Sequence, residues 1–286
     1  LRRFLDVTKA NLFFARGLLI VEGDAENISL PTLARLIERD LAQNGVSIIN
    51  VGGTGLRRFA RIYQRKDPDP DRWINTPVAC VTDLDVMPAC APVVLGKVKQ
   101  GEAVPGLKDR HWRVRSDFGT GGLDQKRMYI DARASGQYVR TFIANEWTLE
   151  YDLAYFGLAE DVWVAAHLAK HDEEISVGKI TRADAISDAR NSFDALSSKG
   201  LSREELATHV YALFVLGSAV SKATSAHYLA SLLEEQYGKG GSEAADLRHR
   251  LPPYLVEAIE YVTYQDTGTT HPEDTTTKAH WEADDQ

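Results

Sequence analysis

Three short apolar runs, each closed by a polar or acidic residue, constrain the fold of this chain more than any other feature. Gly17-Leu18-Leu19-Ile20-Val21 leads into Glu22-Gly23, and Val46-Ser47-Ile48-Ile49-Asn50-Val51 leads into Gly52-Gly53-Thr54-Gly55. Val78-Ala79-Cys80-Val81-Thr82 leads into Asp83. Runs of this length without strict alternation suit strands covered on both faces, as in a parallel sheet. Helix-like segments separate them. Residues 28–42 place Leu33, Leu36, Ile37 and Leu41 at helical spacing, and residues 56–65 also read as helix. Pro68 and Pro70 mark a loop over 67–71. Strand–helix–strand–helix–strand with short connections predicts an α/β fold. Its sheet is mostly parallel, flanked by helices and built with right-handed crossovers.

The remainder changes character. Residues 86–127 are rich in Gly, Pro and charge and are expected to be mostly loop. Residues 138–147 read as a fourth strand, and 148–156 as a helix that Thr148 begins. Beyond that the pattern is helical, with candidates at 161–169, 182–196, 203–216, 219–237 and 253–262. Gly200 and Gly238-Lys239-Gly240-Gly241 separate some of them. Residues 265–286 are polar without periodicity and are expected to be a disordered tail. The expected organisation is a lead-in over 1–16, an α/β domain over 17–155, an all-helical second domain over 156–264, and the tail. No internal repeat is visible.

Composition narrows the function classes. Among 286 residues, Lys+Arg number 33 against 41 Asp+Glu, a formal net charge of -8. That balance argues against non-specific coating of polyanions. It does not exclude a nuclease, because bound divalent cations reverse the local sign. Two cysteines, Cys80 and Cys90, rule out a disulfide framework or a four-cysteine zinc site and fit a reducing cytoplasm. No apolar run approaches the ~20 residues of a membrane span. The longest, 12–21, is broken by Arg16 and lacks a signal-peptide cleavage pattern. The chain begins at Leu1 rather than Met, which suits a piece of a longer protein.

Acidic residues mark the ends of the predicted strands. Glu22 closes the first, and Glu26 follows near the start of the next helix. Asp83 and Asp85 follow the third and, on extended chain, would point to one side. Glu150 and Asp152 fall in the first turn of a helix after the fourth. Each pair also has a plainer reading, as helix-dipole complement or polar loop exit. Together they matter more, because ligand sites of parallel sheets lie at this carboxyl edge. Carboxylates gathered within ~4 Å of one another repel by about 4 kcal/mol per pair at an effective dielectric near 20. Divalent cations relieve that repulsion, and all-oxygen ligation favours Mg2+ or Mn2+ over zinc. Two such ions about 3.5–4 Å apart are the usual machinery of phosphodiester hydrolysis.

Glu22-Gly23-Asp24-Ala25-Glu26 after one apolar strand and Asp83-Leu84-Asp85 after a later one resemble the Toprim domain, shared by topoisomerases, bacterial primases and OLD-family nucleases. The finer resemblance is to the C-terminal region of the OLD (overcoming lysogenization defect) family. It is carried by Arg3-Phe4-Leu5-Asp6, Leu12-Phe13-Phe14-Ala15-Arg16, Leu19-Ile20-Val21-Glu22-Gly23, Ile49-Asn50-Val51-Gly52-Gly53 and Thr148-Leu149-Glu150-Tyr151-Asp152-Leu153. It covers about residues 1–155 and continues more weakly from Lys222 to Tyr261. The resemblance implies that 17–155 is a Toprim-type (Rossmann-like) catalytic domain. The implied activity is that of a metal-dependent DNA endonuclease, using two Mg2+ or Mn2+ ions. It further implies an N-terminal ABC-type ATPase outside this chain, with dimerisation through that domain. This chain lacks the Gly-x-x-x-x-Gly-Lys-[Ser/Thr] phosphate loop, so no ATP site is expected in it. Carried over, Glu22, Glu26, Asp83, Asp85 and Glu150 become catalytic metal ligands. Asp152 becomes a further ligand or a group behind them, and Thr82 contributes its hydroxyl or backbone.

Lys222 is the candidate for stabilising transition-state charge. Ala226, Leu229 and Leu233 share its predicted helix face, so it either snorkels or meets anionic company, and its helix would fold back against the sheet. Arg57, Arg58, Arg61 and Arg65 are candidates for DNA-phosphate contact, with a solvated face as the alternative. Lys108, Arg110, Arg113 and Arg115, interleaved with His111 and Trp112, form a second basic stretch. His167 and His171 have metal-ligand spacing, but Leu168 breaks the zinc-protease pattern, so they read as surface histidines. The competing readings are a Toprim domain of topoisomerase or primase chemistry, an Asp-x-Asp phosphatase, and a catalytically silent DNA-binding module. No nucleophilic tyrosine stands out, there is no room for a primase core, and Glu22 takes the place of the phosphatase nucleophile.

Overall fold

The computed structural model describes residues 13–53, 55–217 and 219–264. Most of the expected lead-in and the whole expected tail lie outside these residues. Arg3-Phe4-Leu5-Asp6, Leu12 and Thr54 lie outside them too. The α/β part runs β1 (Gly17–Val21), α1 (Asp24–Leu36), β2 (Val46–Asn50), α2 (Leu56–Ala60), β3 (Val78–Thr82), α3 (Ala91–Val94), α4 (Gly122–Ala132) and β4 (Val139–Ile143). Helices follow: α5 (Leu149–Leu153), a π-type turn (Ala154–Leu158), α6 (Ala159–Lys170), α7 (Asp172–Ser176), α8 (Arg182–Ser197), α9 (Arg203–Ala212), α10 (Lys222–Tyr237), α11 (Ser242–Arg250) and α12 (Pro253–Thr263). Among the described residues, no helix is long and apolar enough to cross a membrane.

The four strands are all parallel, in the order β2-β1-β3-β4. β1 is central, and Leu18, Leu19, Ile20 and Val21 are fully buried, which is why its sequence shows no alternation. Odd and even positions serve different layers. Leu19, Val21, Ala79 and Val81 join the large apolar cluster with α1, α6, α10 and α12. Leu18, Ile20, Val78 and Cys80 meet Phe59, Ala60 and Tyr63 on the other face. β1→β2 and β2→β3 cross the sheet in opposite directions, so right-handed crossovers put α1 and α2 on opposite faces. α12 lies directly on the sheet. A Cβ at residue 17 would stand 2.6 Å from the Val262 carbonyl oxygen, so only glycine permits this approach.

The buried cluster passes without interruption from the sheet into the helices, and the expected boundary at 155/156 falls within the run α5–turn–α6. Several expected elements are corrected. The first helix begins at Asp24 rather than residue 28 and stops at Leu36, because Glu38 takes a left-handed conformation (φ 61°). Ile37 and Leu41 still reach the core, from a turn. The helix expected over 56–65 is α-helical only to Ala60 and tightens to a 3-10 turn over Arg61–Tyr63.

The segment between β3 and β4 contains α3 and α4 and is held by charge. Arg110 and Asp117, with side chains 4% and 9% exposed, form an ion pair. The Arg110 guanidinium also lies 4.4 Å from the Trp112 ring centroid and donates to the Trp112 carbonyl. Arg115 pairs with Glu146 and, at 2.7 Å, with Glu204. Two cations of the second basic stretch are thus spent on internal structure rather than offered to a polyanion.

Candidate active site

In a sheet ordered 2-1-3-4, the strand order reverses between β1 and β3, and a crevice opens there at the carboxyl edge. Glu22 leaves β1 at this edge and Asp83 leaves β3. Glu22, Gly23, Glu26, Asp83, Glu150 and Lys222 line a single cleft of ≈ 270 Å³. Three helices begin at it. Glu26 lies in the first turn of α1, Glu150 in that of α5, and Lys222 is the first residue of α10. Their partially positive N-terminal ends offset the crowding of four carboxylates.

Each carboxylate is held differently. The Thr82 hydroxyl donates to Glu22 Oε1 at 2.6 Å. Burial raises the Glu22 carboxyl pKa; the Thr82 bond opposes this, and the Asp85 charge adds to it. The Glu26 carboxylate folds back over Gly23, where a Cβ would stand 3.0 Å from Oε2. Glu26 is also raised, by burial first, with its own backbone N–H opposing and the Glu150 charge adding. Asp83 accepts the Leu149 N–H at 3.2 Å. Burial, then Glu150 and Glu26, push its carboxyl well above the usual range against the pull of Lys222. Glu150, 7% exposed, takes the Lys222 ammonium at 2.9 Å.

Lys222 reaches this position because Ala226, Leu229 and Leu233, four, seven and eleven residues on, are buried. That stripe seats α10 against α1. Glu234 meets Thr32 and Arg35 near the far ends of the two helices, so they run side by side in the same direction. Burial pulls the Lys222 pKa down, but Glu150, Tyr211 and Asp83 together outweigh it, and the net shift is upward.

Residues 13–85 match the sequence model of a family described as overcoming lysogenization defect protein-like, TOPRIM domain. They carry an OLD-like Toprim domain. Among solved structures, the C-terminal region of the Xanthomonas campestris pv. campestris OLD protein is similar at 20% identity and TM-score 0.46, covering 88% of this chain and 94% of that one. The C-terminal region of the Burkholderia pseudomallei OLD protein is similar at 22% identity and TM-score 0.46, covering 88% and 98%. No curated protein matches the chain.

Other expected residues of the Toprim site stand elsewhere. Asp85 is not on extended chain. It takes a left-handed conformation (φ 56°) after the buried Leu84, so Asp83 and Asp85 do not project as strand neighbours. Its charge still reaches Glu22 and Asp83, from the outer side, where Lys126 also senses it. Asp152 is fully buried behind the cleft and accepts the backbone N–H groups of Trp147 at 2.9 Å and Glu146 at 3.1 Å. Burial raises its carboxyl to about 7. It shapes the turn that presents Glu150.

Arg57, Arg58, Arg61 and Arg65 are all exposed, but they share no single helix face. Arg65 lies beyond the 3-10 turn, with its backbone bonded to the Gln137 side chain. The glycine loop preceding them is tied to the end of β1, since Gly53 N–H donates to the Glu22 carbonyl at 2.8 Å. Tyr211 was not anticipated. Its ring centroid lies 5.6 Å from the Lys222 ammonium, and a tyrosine in a distant helix carries no sequence signal of that contact.

As the side chains stand, no three His, Cys, Asp or Glu among the described residues converge on one point. Glu22 is engaged by Thr82 and Glu150 by Lys222. The donor chemistry nevertheless suits a hard divalent ion: Asp24, which accepts from the Asn50 amide, lines the cleft beside the other four carboxylates, no histidine or cysteine does, and a cation relieves the mutual repulsion.

Proposed function

We propose that this chain cleaves DNA phosphodiester bonds hydrolytically, with Mg2+ or Mn2+ held by Glu22, Glu26, Asp83 and Glu150. The observation that carries the reading is the gathering of these four carboxylates around one lysine at the switch point of a parallel sheet. When bound, such ions supply Lewis acidity toward phosphate oxygens and lower the pKa of water. The chain's own residues do the rest. Lys222 brings a permanent positive charge to the cleft and can donate to a non-bridging phosphate oxygen, leaving Glu150 to a cation. Thr82 fixes one oxygen of Glu22. Asp83 is held against the start of α5 by the Leu149 N–H, which positions its carboxylate for a cation at the centre of the cluster. The exposed arginines 57, 58, 61 and 65, which follow the glycine loop, contact the DNA backbone without reading sequence. On this reading the activity belongs to a larger protein with an N-terminal ATPase through which the chain dimerises.

Nicking of supercoiled plasmid tests the reading. Relaxed or linear product is expected with Mg2+ or Mn2+, none with EDTA, and none with Asp83→Ala in either metal. Absence of cleavage by the wild-type chain in both metals refutes a nuclease in this chain. Undiminished cleavage by Asp83→Ala refutes the site.

A further inference from the structure

Lys222 is held twice, and the two holds respond differently to a bound ion. Its ammonium lies 2.9 Å from Glu150 Oε2 and 5.6 Å from the centroid of the Tyr211 ring. An aromatic face within about 6 Å of a cation attracts it through the ring quadrupole. Glu150 is a carboxylate that a divalent cation would claim, which withdraws the stronger hold. The face of a neutral ring is no ligand for a hard cation, so the second hold survives. Without it, a lysine side chain that is already 43% exposed can swing into water.

Tyr211 can hold Lys222 because it is itself fixed. It is 8% exposed near the end of α9, and its ring centroid lies 4.3 Å from that of Trp147. Trp147 is buried and locked through its backbone. Its N–H donates to Asp152 at 2.9 Å, and its carbonyl accepts the Leu84 N–H at 3.0 Å. Leu84 directly follows Asp83, and Asp152 stands one turn-closing bond behind Glu150. The ring facing Lys222 is therefore referenced to the same two segments that present Asp83 and Glu150.

We propose that Tyr211 is a positioning residue for Lys222: its ring keeps the ammonium in the cleft once a divalent cation has taken Glu150. The consequence for rate rests on the nuclease reading; the contact does not. Tyr211→Phe keeps the ring, Tyr211→Leu removes it, and mono-, di- and trifluorophenylalanine at position 211 drain charge from its face at nearly constant shape. At saturating Mn2+, plasmid cleavage should slow by about three- to tenfold from Tyr211→Phe to the trifluorinated ring, and similarly in Tyr211→Leu. The Mn2+ concentration for half-maximal rate should not change. Packing alone would not follow fluorine number, and in the Lys222→Met background all the rings should behave alike. If Tyr211→Leu does not fold, the fluorinated series carries the test. The contact is read without cleavage from 13C–1H spectra of lysine-labelled chain. The Lys222 ε-methylene, assigned by its loss in Lys222→Met, should lie upfield of the other lysines in wild type and Tyr211→Phe, with and without saturating Mg2+. That shift in a wild-type chain that fails to cleave supports the contact and refutes only the nuclease reading. An ε-methylene that loses its shift in Mg2+, or cleavage indifferent to fluorination, overturns the proposal.

Discussion

Replacing Lys222 by methionine keeps the length of the side chain and removes its charge, which isolates the electrostatic balance of the cleft. The Glu150 side chain is 9% exposed and that of Lys222 is 43% exposed, with 2.9 Å between the charged atoms. Exposed pairs contribute at most about 1 kcal/mol, whereas stripping one partner from a buried pair costs about 3–5 kcal/mol. This pair lies between the two cases, at about 2 kcal/mol. A positive charge at the first position of α10 opposes the helix dipole, and its removal returns about 0.3–1 kcal/mol. The expected net loss in EDTA is therefore about 1–2 kcal/mol. With a urea m-value of about 2–3 kcal/mol per molar, the midpoint falls by about 0.5 M. Glu150→Gln in the Lys222→Met background should recover most of the loss, giving a coupling of about 2 kcal/mol in the double-mutant cycle. Saturating Mn2+ should shrink the Lys222→Met deficit, because a cation takes over the missing charge. In plasmid cleavage, the same variant should lower the rate more than it raises the metal concentration required. A midpoint unchanged in EDTA, or additive effects of the two substitutions, refutes the claim that Lys222 and Glu150 act on each other.

Gly23→Ala is expected to reduce cleavage at least tenfold with little change in melting temperature. The φ of −141° tolerates a side chain, but the new Cβ meets Glu26 Oε2 at 3.0 Å and displaces that carboxylate. Wild-type cleavage would show that the position of Glu26 is unimportant. Replacing Arg57 and Arg61 with alanine should lower the slope of log binding constant against log salt by about 2, measured by fluorescence anisotropy on duplex DNA; an unchanged slope removes them from the DNA path. Asp117→Ala leaves Arg110 buried and unpaired and should cost about 3 kcal/mol in urea, with loss of the near-ultraviolet signal of Trp112. The hydrogen bond from Arg110 holds the Asp117 carboxyl below its usual range, so this stabilisation is present above that range and lost as the pH falls through the lowered value. A difference between wild type and Asp117→Ala that persists at low pH would refute the pairing.

The parts of this structure that could be read in the sequence are those in which one residue's neighbours along the chain decide its environment. β1 and β3 are apolar throughout because both faces are covered, and Glu22 and Asp83 stand out because they end such strands. Lys222 was legible as a conflict, a charge on an apolar helix stripe. Its resolution by Glu150, 72 residues away, was not, because that pairing depends on how α10 settles on α1. Asp85 misleads for a local reason, since one left-handed residue after a buried leucine undoes the strand geometry on which the Asp-x-Asp spacing relies. Arg110 and Arg115 look like a nucleic-acid surface only while Asp117, Glu146 and Glu204 are unplaced, and two of those three lie in other elements. A cation's role is therefore set by the acid that tertiary packing brings to it. The exposed arginines after the glycine loop remain candidates for DNA because the fold leaves them at the surface, whereas Arg110 and Arg115 do not, because the fold has paired them internally.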